Sequence, residues 1–541
     1  MIYLFEELKR IVVQRKPFFL TIIFGLYFVI GLSIFSDYGV SWDEIAQDSY
    51  GFRNLEFVIH SKPFPENRDA VYYGPVFSTT AYIIGVLLPH PDERSRFLTN
   101  HFLVFLYFYL SVLCFFKLAK GYFKSDFWSL LATIFLVISP RIFADSFYNP
   151  KDIPFLSSMI IGFFSMRKFL RKPAISSGIW HGLASAIAID IRILGVMLPA
   201  VTFILNLSDK RVRDKNSKYL KRQAVAWSAY LLICGIFVVI LWPFLWGDPI
   251  GRFVEAFNLM RKFAWDGANL YLGQYVSGKA VPWHYVPVWI SITTPISILL
   301  LFLIGLAKFP WILNRVLKSD DIPEPFILAP YLWFFMPLIC VIFFKSTLYD
   351  GWRQLYFIYP GLVMIATLSL KDLWSFGSRI SFKPVRNTVF VIISALLIFD
   401  LWCTASFLIR SHPYQYIYFN SLTGGVHGAK GQFEMDYWGV SFKQLLERVL
   451  REMPEKSNIQ ICGRPDDHPL YMNLEILKPQ DRIRFAPLPM VANFEDLSTT
   501  SEFLHLTTFR RLPPDWKSAY PKVCEIIVDG ASIAAAYLVK R

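Results

Sequence analysis

Apolar runs of about 20 residues recur along the chain, each long enough to cross a bilayer as a helix. They predict about eleven spans, near 17–36, 98–118, 127–140, 153–169, 175–190, 193–207, 224–246, 286–307, 326–344, 354–370 and 388–408. Segment 71–89 is apolar too, but it opens Tyr72-Tyr73-Gly74-Pro75 and reads as a helix lying at the interface. Past residue 409 the pattern changes. Charge becomes frequent, and NIQICG, RIRFA and EIIVDG read as strands. In FKQLLERVLREM, Leu445, Val449 and Met453 recur at helical spacing. The pattern therefore predicts an α-helical polytopic membrane domain over 1–409. An aromatic, Gly-rich linker and a small α/β domain follow over 410–541.

Composition agrees. Of 541 residues, 54% are hydrophobic and 18% charged, against about a quarter charged in a soluble chain. The net charge of +14 invites a nucleic-acid reading, but its placement excludes one. Lys9, Arg10, Arg15 and Lys16 precede the first span. Lys117, Lys120 and Lys124 follow, then Arg167, Lys168, Arg171 and Lys172, and then the run from Lys210 through Lys215 to Arg222. Lys308, Arg315 and Lys318, then Lys371, Arg379, Lys383 and Arg386, complete the set. All fall on one side of the predicted bilayer, which puts the N-terminus in the cytoplasm and the C-terminal domain outside it. The first apolar segment lacks a small-residue cleavage site and reads as a retained helix. Cys114, Cys234, Cys340 and Cys403 lie in apolar runs as plain thiols. Cys462 and Cys524 lie in strand-like runs, as two buried thiols or as a disulfide.

Three polar clusters share the side opposite the basic loops. DYGVSWDE ends the first apolar run and brings Asp37, Asp43 and Glu44 together, with Asp48 close behind. Ser41 and Glu44 have capping-box spacing, which accounts for Glu44 better than for Asp43. On a helix Glu44 and Asp48 repel at i, i+4, so they call for a cation, a metal or a proton. SPRIFADSFYNPKDIP gathers Arg141, Asp145, Lys151 and Asp152 into a turn that its prolines should keep extended. KSTLYDGWRQLYFIYP places Lys345, Asp350 and Arg353 beside an aromatic belt. Each has a plain reading as well, as a solvated helix end, local ion pairs or interfacial anchors. Asp190 and Arg192 are either a local pair or part of a donor cavity. Asp400, in an apolar run, calls for a partner on another helix. His181 reads as a satisfied packing residue.

Acids and bases at one membrane level fit the transfer of a group from a lipid-linked phosphate. Cations hold the phosphate, and a carboxylate takes the proton of the incoming hydroxyl. Phosphate leaves without a dedicated acid, so one base carboxylate suffices for inversion. SWDE, YYGPVFSTTAYIIG, SPRIFADSFYNPKDIP, PWHYVPVW and GWRQLYFIYPGL together resemble motifs of the GT-C glycosyltransferases, in the protein O-mannosyltransferase and lipid A aminoarabinose transferase branch. The resemblance covers about residues 1–410, with Gly74 in place of a proline and WRQ in place of a more direct Arg-Tyr pair. It implies an inverting glycosyltransferase of a bacterial-type plasma or inner membrane, with a polyprenyl-phosphate sugar as donor. The acceptor would be a glycan, lipid or protein. Asp43 would be the base, and Lys151, Arg353 and Arg192 would serve the donor phosphate. Glu44 and Asp152 would orient the acceptor, tune Asp43 or, with Asp43, hold a divalent metal, which the resemblance leaves open. The rival readings are a lipid or polysaccharide transporter or flippase, and a non-catalytic scaffold with a partner-binding tail.

Overall fold

The apolar runs are helical in the computed structural model, which describes residues 16–64, 71–89, 91–213, 217–318, 325–492, 497, 502–509 and 520–540. Lys9, Arg10, Arg15 and Lys215 of the basic set lie outside the described residues. Among the described residues six helices are long and apolar enough to span a membrane, making this a multi-pass membrane protein. They are Glu93–Phe123, Asp152–Arg171, Ser217–Leu241, Phe326–Phe343, Arg353–Ser378 and Lys383–Arg410. A bent pair, Asp126–Val137 and Pro140–Tyr148, makes a seventh if counted as one span. The other expected spans fall on shorter or broken helices, so length and composition alone do not reach eleven.

The breaks have local causes. The run 286–307 divides into Tyr285–Thr293 and Ile296–Ala307 because Pro295 pushes Thr294 into an extended conformation. The stretch after Ser139 is not the extended turn its prolines suggested. Pro140 occupies a first-turn position, where its missing N–H costs nothing, and Pro140–Tyr148 forms a helix bent 68° from its predecessor.

The basic loops meet at one end of the bundle. Arg167 donates to Gly121 O at 2.9 Å, Arg211 to Leu170 O at 3.0 Å and Lys371 to Phe123 O at 3.3 Å. Residues 37–44, 140–152 and 345–358 meet at the other end, against the C-terminal domain. That domain carries the predicted helix, Phe442–Glu452, on a five-stranded sheet. After a hairpin of β1 (Ala268–Tyr271) and β2 (Gln274–Ser277), the sheet comprises β3 (Ile459–Cys462), β4 (Phe485–Pro487), β5 (Phe503–Thr508), β6 (Lys522–Val528) and β7 (Ala531–Val539). Its order is β4-β3-β5-β7-β6. Phe442, Leu445, Leu446 and Val449 cluster with Ile459, Ile461, Leu504 and Ile526 to form its core. Cys462 and Cys524 are both free. Three strand steps separate them, about 14 Å, well beyond disulfide reach.

Two polar side chains in apolar runs have partners on other helices. Asp400 accepts from Ser297 N–H at 3.0 Å and from its hydroxyl at 2.5 Å. His181 lies between Ser165 and Thr202 and stacks on Tyr230, as a packing residue should.

Candidate active site

Asp43 lies in the first turn of the Trp42–His60 helix, Asp152 opens Asp152–Arg171, and Arg353 opens the short 3₁₀ segment Arg353–Ile358. Three helix starts, more than 100 and 300 residues apart in the chain, thus converge. Arg353 donates through Nη1 to Asp152 Oδ2 at 2.9 Å and to Asp43 Oδ2 at 3.1 Å. Its Nη2 donates to Asp350 Oδ2 at 3.1 Å. The guanidinium carbon lies 4.5 Å from the Trp438 ring centroid and 5.0 Å from that of Tyr349. Arg353 is buried, so three carboxylates and two rings replace its water.

Asp152 is equally enclosed. Its second oxygen accepts from Arg192 Nη2, and Asn149 Nδ2 donates to Oδ2 at 3.1 Å. Asn149 Oδ1 accepts from the Asp152 N–H at 2.8 Å, which closes the turn. Arg192 therefore pairs with Asp152 and not with Asp190. The Asp190 carboxylate instead accepts from Val76 N–H at 2.7 Å. Lys151 is buried with its ammonium 3.5 Å from the Tyr73 ring centroid. Burial pushes it down to about 7 against the opposing pull of Asp43. The Asp43 side chain keeps 17% of its surface exposed. Its Oδ1 makes no hydrogen bond among the described residues.

Glu44 faces elsewhere. One oxygen accepts from Ser41 N–H at 2.7 Å, as the capping box predicts. The other accepts from Asn100 at 3.2 Å and lies 3.0 Å from His101 Nε2, with both side chains fully buried. Asp48 has its own cation, Arg96, at 3.8 Å, and burial raises its carboxyl. The repulsion foreseen between Glu44 and Asp48 is thus relieved by separate partners. Asp43, Glu44 and Asp152 do not converge as metal ligands: Arg353 neutralises two of them, and Glu44 turns toward His101. No group of three or more His, Cys, Asp or Glu suited to a metal occurs among the described residues. Lys345 is exposed and takes no part in the network.

A groove of about 990 Å³, open solvent included, adjoins this network. Ile193, Val196, Met197, Phe257, Val341 and Phe344 form much of its apolar wall. Among the described residues, Arg192 and Arg261 line it and no carboxylate does. Nε of each arginine is buried and finds no acceptor among the described residues, an unmet demand that an anion would satisfy. Tyr73 and Tyr349 also line it, and the Asp43 charge helps to raise both phenols, although burial is the larger cause. Sequence reasoning missed Arg261, Tyr349 and Trp438. Nothing local marks the first, and the other two sit in aromatic stretches that read as membrane anchors or linker. Gly74, the departure from the proline pattern, has a reason: a Cβ there would stand 1.7 Å from Asp190 O.

Two solved structures are similar to the chain over nearly its whole length. Both are crystal structures of ArnT from Cupriavidus metallidurans. The one bound to undecaprenyl phosphate is 13% identical and covers 96% of this chain and 98% of its own, with a TM-score of 0.48. The one in the apo state is 12% identical and covers 97% and 98%, also with a TM-score of 0.48. No family model matches the chain, and no curated protein matches it significantly. The site's chemistry follows from this chain's own residues.

Proposed function

We propose that the protein is a glycosyltransferase that moves a sugar from a polyprenyl-phosphate donor to an acceptor hydroxyl at the outer face of the membrane. The observation that carries this reading is the groove: apolar at the ends of the spans, lined among the described residues by two arginines and no acid, and by Tyr73 and Tyr349, which feel the Asp43 charge. A lipid tail fits the apolar wall. Arg192 and Arg261, with Lys151 near, receive the phosphate. The basic loops gather at the far end of the bundle, which supports an outward-facing site.

Asp43 Oδ1 takes the acceptor's proton as its oxygen bonds to the anomeric carbon. The carbon–oxygen bond to phosphate breaks, and its electron pair leaves with the phosphate. A single displacement of this kind inverts the anomeric centre. Asp152 and Arg353 act as the frame: Asp152 joins Arg192 to Arg353, and Arg353 holds Asp43. Glu44 fixes the helix start that carries Asp43. Purified protein carrying Asp43→Asn should bind a polyprenyl-phosphate sugar yet fail to transfer the sugar, and full transfer would overturn the assignment.

A further inference from the structure

The short loop before Asp43 is held by the C-terminal domain, two elements more than 400 residues apart in the chain. Val40 uses both backbone groups on one side chain. Its N–H donates to Asn473 Oδ1 at 2.8 Å, and its C=O accepts from Asn473 Nδ2 at 3.0 Å. Asn473 is fully buried, and the same amide donates to Pro469 O at 2.8 Å. One residue before Asp43, the Trp42 N–H donates to Trp438 O at 3.1 Å. The Trp438 ring in turn faces Arg353. On its other side the loop is pinned by the Ser41 hydroxyl, which donates to Tyr148 O at 2.9 Å. Gly39 allows this close approach: a Cβ there would stand 2.3 Å from both Asn473 Oδ1 and Val440 O.

Packing alone does not call for an amide at position 473. A buried side chain that satisfies both backbone polar groups of one residue fixes that residue's height and rotation, as a strand neighbour would. The residue it fixes lies three positions before Asp43. We propose that the C-terminal domain is a working part of the active site, with Asn473 the positioning residue for Asp43 and Trp438 that for Arg353. This rests on the glycosyltransferase reading for its activity arm, but not for its structural arm.

The test uses full-length protein in nanodiscs, with Asn473→Asp and Gly39→Ala as variants. Asn473→Asp keeps the shape and the acceptor for Val40 N–H but loses the donor. Gly39→Ala wedges the same contact from the loop side. Hydrogen exchange of the peptide covering residues 38–43 should rise about tenfold or more while β5 and β7 stay protected. With a polyprenyl-phosphate sugar, kcat should fall about 100-fold while donor KM stays within about threefold, because the groove arginines are untouched. Unchanged exchange in both variants overturns the proposal, as does raised exchange with normal kcat. A rise confined to KM overturns it as well, since the domain would then act on the donor. If Asn473→Asp unprotects the whole domain, Gly39→Ala is judged by the same criteria. Full activity of Asp43→Asn would sink the base assignment alone and leave the exchange result standing.

Discussion

Asp43→Asn separates the proposed base from the frame that holds it. Asparagine keeps the shape and can still accept from Arg353, so only the charge and the basic oxygen are lost. Arg353 retains Asp152 at 2.9 Å and Asp350 at 3.1 Å, and the buried guanidinium stays paired. The stability cost should therefore be about 1–2 kcal/mol, the difference between a charged and a neutral bond. A general base contributes about 10²- to 10⁴-fold to the rate, or about 2.7 to 5.4 kcal/mol of barrier. Donor affinity should not weaken, because an anion beside Lys151 and Arg192 has been removed. The assay is single-turnover release of polyprenyl phosphate from a polyprenyl-phosphate sugar, with donor binding measured separately. A rate within about threefold of the unmodified protein refutes the base assignment, since that is under 1 kcal/mol of barrier. Loss of binding and rate together would make Asp43 a structural charge.

Three further outcomes are expected. Arg353→Met leaves three carboxylates facing one another without their shared cation, so it should cost about 3–5 kcal/mol in denaturation, whereas Arg353→Lys should fold better and still turn over poorly because the fork is lost. Lys151, held down to about 7, is charged below that pH and neutral above it. Donor affinity should accordingly fall as pH rises from 6 to 9, by about tenfold for each unit by which bound phosphate raises the ammonium, and flatten in Lys151→Arg. The stability linkage has the opposite sign: between about 7 and 10 the unfolded chain binds the extra proton, so this group's contribution to stability rises with pH. Arg261→Gln should raise donor KM about tenfold with kcat little changed, since it touches the groove but not Asp43; a fall in kcat at constant KM would contradict its role.

The sequence showed Asp43, Lys151, Asp152 and Arg353 because each sits in a short polar stretch beside an apolar run, where charge is conspicuous. It could not show their division of labour. Whether Arg353 meets phosphate or carboxylates depends on what two distant helix starts bring to it, and Asp152 and Asp43 arrive there beside its own neighbour Asp350. Glu44 was legible as a cap, because that bond closes within four residues, whereas its partner His101 comes from another helix. Arg261 lies at the end of an ordinary amphipathic helix, Pro249–Arg261, and only the fold turns it into the groove. In the C-terminal domain, β7 escaped notice because ASIAAAYLV is rich in alanine, a weak strand former, and it is strand pairing on both sides that makes it β. The count of about eleven spans is not confirmed for a related reason: proline breaks and helix bends divide apolar runs into pieces that length and composition alone do not count as spans.

The charges at the site suit a rigid frame to the proposed transfer, which moves charge. Asp43, Asp152 and Asp350 carry three negative charges, and Arg353, Arg192 and protonated Lys151 carry three positive ones. The donor's phosphodiester adds one negative charge. In the proposed transfer Asp43 becomes neutral as it takes the acceptor's proton, while the departing phosphate gains a second negative charge. The total is unchanged: one charge has passed from the carboxylate to the phosphate, on either side of the same cations. Arg353 and Arg192 are linked through Asp152, so neither has to move for the cluster to face Asp43 at the start and the phosphate at the end. Low reorganisation of this kind is what a preorganised site supplies. It also predicts an asymmetry in mutants of Asp152. Asp152→Asn uncouples the two arginines while leaving Asp43 intact, so kcat should fall even though the base remains. Donor binding should strengthen, because one competing anion is gone. Weaker donor binding in Asp152→Asn, measured by titration with polyprenyl phosphate, would show that the carboxylate holds the arginines in place for the phosphate more than it competes with it.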